Sequence, residues 1–65
     1  MPIVITKDTC GGSPRIDGRR ITVYNILGYL AGEMTIDDIC EEFNLKKEQV
    51  IEAIEWVKEY IEGQF

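Results

Sequence analysis

The sequence predicts a small, mainly α domain: three helices in helix-turn-helix order behind a short N-terminal β arm. Three observations lead there. The stretch GGSPRIDGRRITV, Gly11 to Val23, places a Gly-Gly pair, a proline and an Asp-Gly pair ahead of the rest of the chain. At Thr22 the apolar residues change to helical spacing. Only two short connectors, one at Gly32 and one at Asn44-Leu45-Lys46, interrupt that spacing.

Taken in order, Ile3 to Thr6 is a β-branched run that reads as a strand. Gly11 and Gly12 permit positive φ, and Pro14 holds its predecessor extended. Arg15-Ile16 and Arg19 to Val23 read as two short strands around the Asp17-Gly18 turn, a favoured hairpin pair. A hairpin this short is not stable alone and must lean on the helices or on another protomer. Thr22 is the expected cap of a helix with Val23, Ile26, Leu27 and Leu30 on one face, and Gly32 its natural stop. Thr35, with Asp38 three residues on, opens a second helix whose apolar face is Ile36, Ile39, Cys40 and Phe43. The third and longest runs from Lys47 through Glu62. Residues 1–21 are thus the arm and residues 22–65 the helical part of a single domain.

A 65-residue chain buries only about 60% of the surface it exposes when unfolded, so a staple is expected. Cys10 and Cys40 allow at most one disulfide, and with no histidine a four-ligand metal site is not expected. No cofactor is expected either. The staple is read as oligomerisation, in the form of a homodimer. No apolar run approaches the ~20 residues of a membrane span, and the N-terminus lacks the pattern of a secretion signal. A cytoplasmic protein is expected, with Cys10 and Cys40 as reduced, small side chains.

The third helix carries the strongest sign of a partner. Val50, Ile54, Val57 and Ile61 fall within about 60° of one another and are assigned to the core, while Glu48, Glu52, Glu55, Glu59 and Glu62 fill an arc of roughly 80° opposite. Ala53, Trp56 and Tyr60 remain on one flank. Either the arm covers them, or they form a protein interface. Charge points the same way. Residues 1–20 carry a balance of +2, including Arg15, Arg19 and Arg20, and residues 21–65 a balance of −7, for a net −5.

The arm resembles the signature of a small bacterial and archaeal family, domain of unknown function 433. The residues that carry the resemblance are Gly12, Pro14, Ile16, Gly18, Arg20, Ile21 and Val23, then Leu30, Gly32 and Met34, and further on Ile36, Ile39, Leu45, Val50 and Ala53. Two positions depart from the family pattern, Arg19 and Lys46, where threonine is usual; the second removes a helix cap typically worth ~1 kcal/mol. The resemblance implies a homeodomain-like helix-turn-helix fold. It also implies an antitoxin, since many members stand beside a PIN-domain nuclease toxin in VapBC-like pairs, or a related DNA-binding regulator.

The antitoxin reading has a physical side. An RNA-gripping nuclease presents a basic cleft, and an acidic chain with an exposed aromatic patch complements it. Arg15, Arg19 or Arg20 could pair with the metal-binding carboxylates of such a nuclease; for Arg20 the favoured role is structural, tying the arm to the acidic helices. Ala53, Trp56 and Tyr60 complete the expected partner surface. For DNA, the third helix offers Lys46, Lys47 and Gln49 at its N-terminal end. Its glutamate row opposes a phosphate backbone, so tight DNA binding by the isolated domain is not expected. An enzyme is not expected: there is no Ser/His/Asp set, no P-loop lysine, and no base beside Cys10.

Overall fold

Residues 3–64 are described by the computed structural model. Their order is β1 (Ile3–Val4), β2 (Arg15–Ile16), α1 (Val23–Ala31), α2 (Ile36–Phe43) and α3 (Lys47–Gln64). The molecule is mainly α, with a two-stranded antiparallel sheet at its N-terminal end.

The sheet differs from the expected hairpin. β2 pairs with β1, in the register Ile3↔Ile16 and Val4↔Arg15. The stretch after Asp17-Gly18 makes only a single bridge, Thr22 to Arg15. The turn itself is present, closed by Arg19 N–H donating to the Ile16 carbonyl at 3.0 Å. Positive φ falls on Gly18 (76°) and not on Asp17. A hairpin of the favoured type needs positive φ at both central residues, and turns lacking it splay their strands. The segment from Ile16 to Ile21 is therefore a hook, held by Ile16 N–H to the Ile21 carbonyl at 3.0 Å. The connector between the strands turns through three successive left-handed residues, Cys10 (φ 53°), Gly11 (65°) and Gly12 (83°).

The helix ends follow their capping residues. Thr22 and Thr35 each accept a hydrogen bond from the backbone N–H three residues on, and Asn25 and Asp38 accept in return from the cap N–H, giving two capping boxes. Gly32 does not carry the left-handed stop of α1. Glu33 does (φ 72°), with Met34 N–H reaching back to the Tyr29 carbonyl and Glu33 N–H to that of Leu30. This is the Schellman closure, which a glycine would occupy without steric cost. α2 closes through left-handed Asn44 (φ 52°), and Leu45 N–H reaches the Cys40 carbonyl. The connector to α3 is thus Asn44, Leu45 and Lys46, as the helix-turn-helix reading requires.

The core joins both parts of the chain. Ile3 and Ile16 from the sheet meet Val23 and Ile26 of α1, Ile39 of α2, Leu45, and Val50 and Ala53 of α3, all buried. Tyr29 stacks on Phe43, with ring centroids 4.8 Å apart, and ties α1 to α2. The arm therefore leans on its own helices. At 1.5 Å per residue the 18-residue α3 is about 27 Å long, roughly twice the length of α1 or α2. Every described residue from Lys58 onward is exposed, including Ile61 at 49%. Ile61 was expected in the core; it lies on the core-facing stripe, past the last residue that α1, α2 or the sheet can cover.

Replacing Glu33 by Gly should raise stability by about 1 kcal/mol, read as a higher urea midpoint at unchanged slope. Asp38 gives a pH test. The Thr35 backbone N–H, and secondarily its hydroxyl, hold the Asp38 carboxyl below the ordinary aspartate range. Its contribution is therefore present above that range and lost as pH falls through the lowered pKa. Thermal melts of wild type and Asp38→Asn should differ at pH 5 and converge toward pH 2.

Candidate functional site

The arm's arginines serve the fold in two of three cases. Arg15, on β2, lies along the hook: Nη2 donates to the Thr6 hydroxyl at 2.9 Å and Nη1 to the Arg19 carbonyl at 3.2 Å. Its Nε is buried without a hydrogen-bond partner. Arg19 leaves the hook outward. Its guanidinium donates to the carbonyl oxygens of Phe43 and Asn44. These carbonyls end α2, where no intrahelical donor remains and the helix dipole is negative. Arg20 is exposed, and its own carbonyl accepts a weak bond from the Cys10 thiol at 3.4 Å.

The tie between arm and helices thus belongs to Arg19, not to Arg20, and it ends on backbone carbonyls, not on glutamates. The turn at Gly18 decides this, because it fixes which of the two adjacent side chains faces the end of α2.

That tie gathers charge at one end of the molecule. The hook, with exposed Arg20, is held against the α2–α3 turn, with exposed Lys46 and Lys47 beside it. Gln49, the third residue proposed to meet DNA, is half-buried. Its Oε1 accepts from Lys46 N–H at 2.8 Å, so its carbonyl caps α3. This is the reciprocal half of a capping box whose threonine half Lys46 cannot supply.

At the opposite end, the expected protein-binding flank divides. Ala53 is completely buried within the subunit and offers nothing to a partner. Trp56 is half-buried against the core. Tyr60, 57% exposed, stacks on it with ring centroids 5.5 Å apart and planes 9° from parallel. Of the flank, the stack alone is accessible, chiefly through Tyr60.

The remaining acids are solvated. Among the described residues the one ion pair is Lys58–Glu62 at 3.8 Å, exposed on both sides and of little energetic weight. A shallow depression of about 290 Å³ is lined by Met34, Asp38, Glu41 and Glu42. Among the described residues no group of three or more acids or cysteines has metal-binding geometry. No helix of the described residues is long and apolar enough to cross a membrane. Cys10 and Cys40 are free and half-buried.

The family model described as "Protein of unknown function (DUF433)" matches residues 3–57, and the chain belongs to that family. No curated protein and no solved structure matches. The matched region takes in the arm, the hook, α1, α2 and the buried part of α3. It stops at Val57, one residue before the tract in which every described residue is exposed.

Sequence reasoning missed two things here, the tether role of Arg19 and the exposure of Ile51 (36%) and Ile61. The second had a signal, since Ile51, Ile54, Lys58 and Ile61 follow a three-four-three spacing set off from the buried stripe.

Arg19→Ala should lower stability by about 1 kcal/mol and speed amide exchange across the hook and the end of α2. Arg20→Ala should stay within about 0.5 kcal/mol of wild type. Equal effects of the two substitutions in urea would show that the tie is not made through Arg19.

Proposed function

We propose that the chain is a non-catalytic binding module, an antitoxin-like partner of a PIN-domain ribonuclease toxin in a type II pair. The observation that carries this reading is the Trp56–Tyr60 stack, with Tyr60 more than half exposed on the projecting part of an acidic helix. Aromatic side chains supply large contact area with few torsions to immobilise, and they are favoured where proteins meet. The five glutamates of α3 complement the basic cleft of an enzyme that grips RNA. Of the arm's arginines, Arg20 is the one whose guanidinium makes no hydrogen bond or ion pair among the described residues, so it is the candidate to meet metal-binding carboxylates of the nuclease. Without its toxin, the stack is the surface on which a homodimer would form.

One observation favours a second reading, a helix-turn-helix DNA-binding regulator of its own operon. The Arg19 tie brings Arg20 to the same end of the molecule as Lys46 and Lys47, at the start of α3. Three cations at a helix N-terminus suit phosphate contacts. The glutamate row behind them limits such binding to a complex in which the row is covered.

Co-expression with a PIN-domain protein encoded beside this chain tests the first reading. The complex should elute intact, and Trp56→Glu should weaken it at least tenfold while the chain stays folded, and Tyr60→Glu, at the exposed ring, should weaken it with little change in melting temperature. Tight, salt-sensitive gel shifts by the isolated chain, with no complex formed, would establish the regulator instead.

A further inference from the structure

α3 has a second unpartnered flank, on the other side of its buried stripe from Trp56 and Tyr60. Lys47, Ile51, Ile54, Lys58 and Ile61 are spaced by four, three, four and three residues, which confines them to an arc of about 80°. Ile51 is 36% and Ile61 49% exposed, and Ile54 is half-buried at the margin of the core. Glu48, Glu55 and Glu62 follow the same seven-residue repeat along the side of this seam away from the core, and all are exposed. The seam is thus an apolar strip with a negative rail.

Spacing of this kind accepts another helix, and the charges that flank such a seam choose which. A second copy of α3 is a poor choice. An antiparallel pair that seats Ile51 of one copy on Ile61 of the other sets Glu48 opposite Glu62 and Glu55 opposite its equivalent. A parallel pair stacks Lys58 on Lys58. Like charges across such a seam are destabilising. A helix with lysines and arginines beside its apolar stripe meets neither problem and neutralises the rail.

We propose that the Ile51–Ile54–Ile61 seam of α3 is a docking site for a basic amphipathic helix of another protein. The helix lays its apolar stripe on the three isoleucines and on the aliphatic stem of Lys58. Its cations face Glu48, Glu55 and Glu62. The seam lies on a different flank from the aromatic stack, so the proposal stands whether or not the partner of that stack is a toxin.

The test uses the full chain and a fluorescein-labelled synthetic helical peptide as long as α3. Its leucines and isoleucines follow the four-three spacing, and lysine and arginine occupy the flanking positions. Fluorescence anisotropy should show binding that weakens at high salt. Two variants, Ile51→Ser with Ile61→Ser, and Glu48→Lys with Glu55→Lys and Glu62→Lys, should each weaken it at least tenfold. All five side chains are exposed, and melting curves report whether each variant folds. Trp56→Glu should bind the peptide as the wild type does, which separates this surface from the aromatic stack. No binding, or equal binding of a peptide with glutamates at the flanking positions, would overturn the proposal. So would a dimer in light scattering that the isoleucine variant alone returns to 7.5 kDa, because the seam would then belong to a second copy.

Discussion

Val50 and Ala53 of α3 are closed off from water from two directions at once, and the rest of the structure depends on that closure. α1 and α2 pack on one side, and Ile3 and Ile16 of the arm on the other. Eight- and nine-residue helices do not surround a third helix by themselves, and a chain this short has little surplus apolar area. Recruiting the N-terminal strand into the same core raises the buried fraction while Cys10 and Cys40 stay free. An arm that wandered would uncover the centre of α3.

Two devices keep the arm in place, and each acts on backbone. The left-handed run at Cys10, Gly11 and Gly12 reverses the chain so that β2 can return alongside β1. Gly11 and Gly12 adopt this conformation freely, whereas Cys10 accepts roughly 1–2 kcal/mol of steric strain to do so. Arg15 and Arg19 then act in series. Arg15 joins Thr6 to the carbonyl of Arg19, and Arg19 joins the hook to the last carbonyls of α2. Guanidinium suits both tasks because its fork carries several donors in one plane. The outcome is a polar molecule, with free cations near the start of α3 and acids along its length.

The length of α3 governs what the protein has left to offer others. Its first three turns serve the core. Its last seven described residues serve nothing within the subunit, yet they include Tyr60 and Ile61. The match to the family ends where this tract begins. α3 thus holds the domain together along its first turns and presents surface along its length, through Ile51 as well as through Tyr60 and Ile61. On that surface the aromatic stack and the isoleucine seam face different directions, with the buried stripe between them.

Much of this was legible in residue spacing, because helices and their ends are local. Thr22 and Thr35 cap as read, since a hydroxyl and an N–H three residues on need nothing distant. The three helices, their short connectors and the arm follow from the same short-range rules. The family signature was equally local, a set of glycines and a proline at fixed intervals. Tertiary structure alone decided which side chain of an adjacent pair makes a contact and where a continuous apolar stripe stops being covered. Arg19 and Arg20 are alike in sequence, and the splay of the turn at Gly18 selects the first. Ile54 and Ile61 lie on one stripe, but only Ile54 lies within reach of the core. Burial depends on how far the neighbouring elements extend, and no residue's own identity records that.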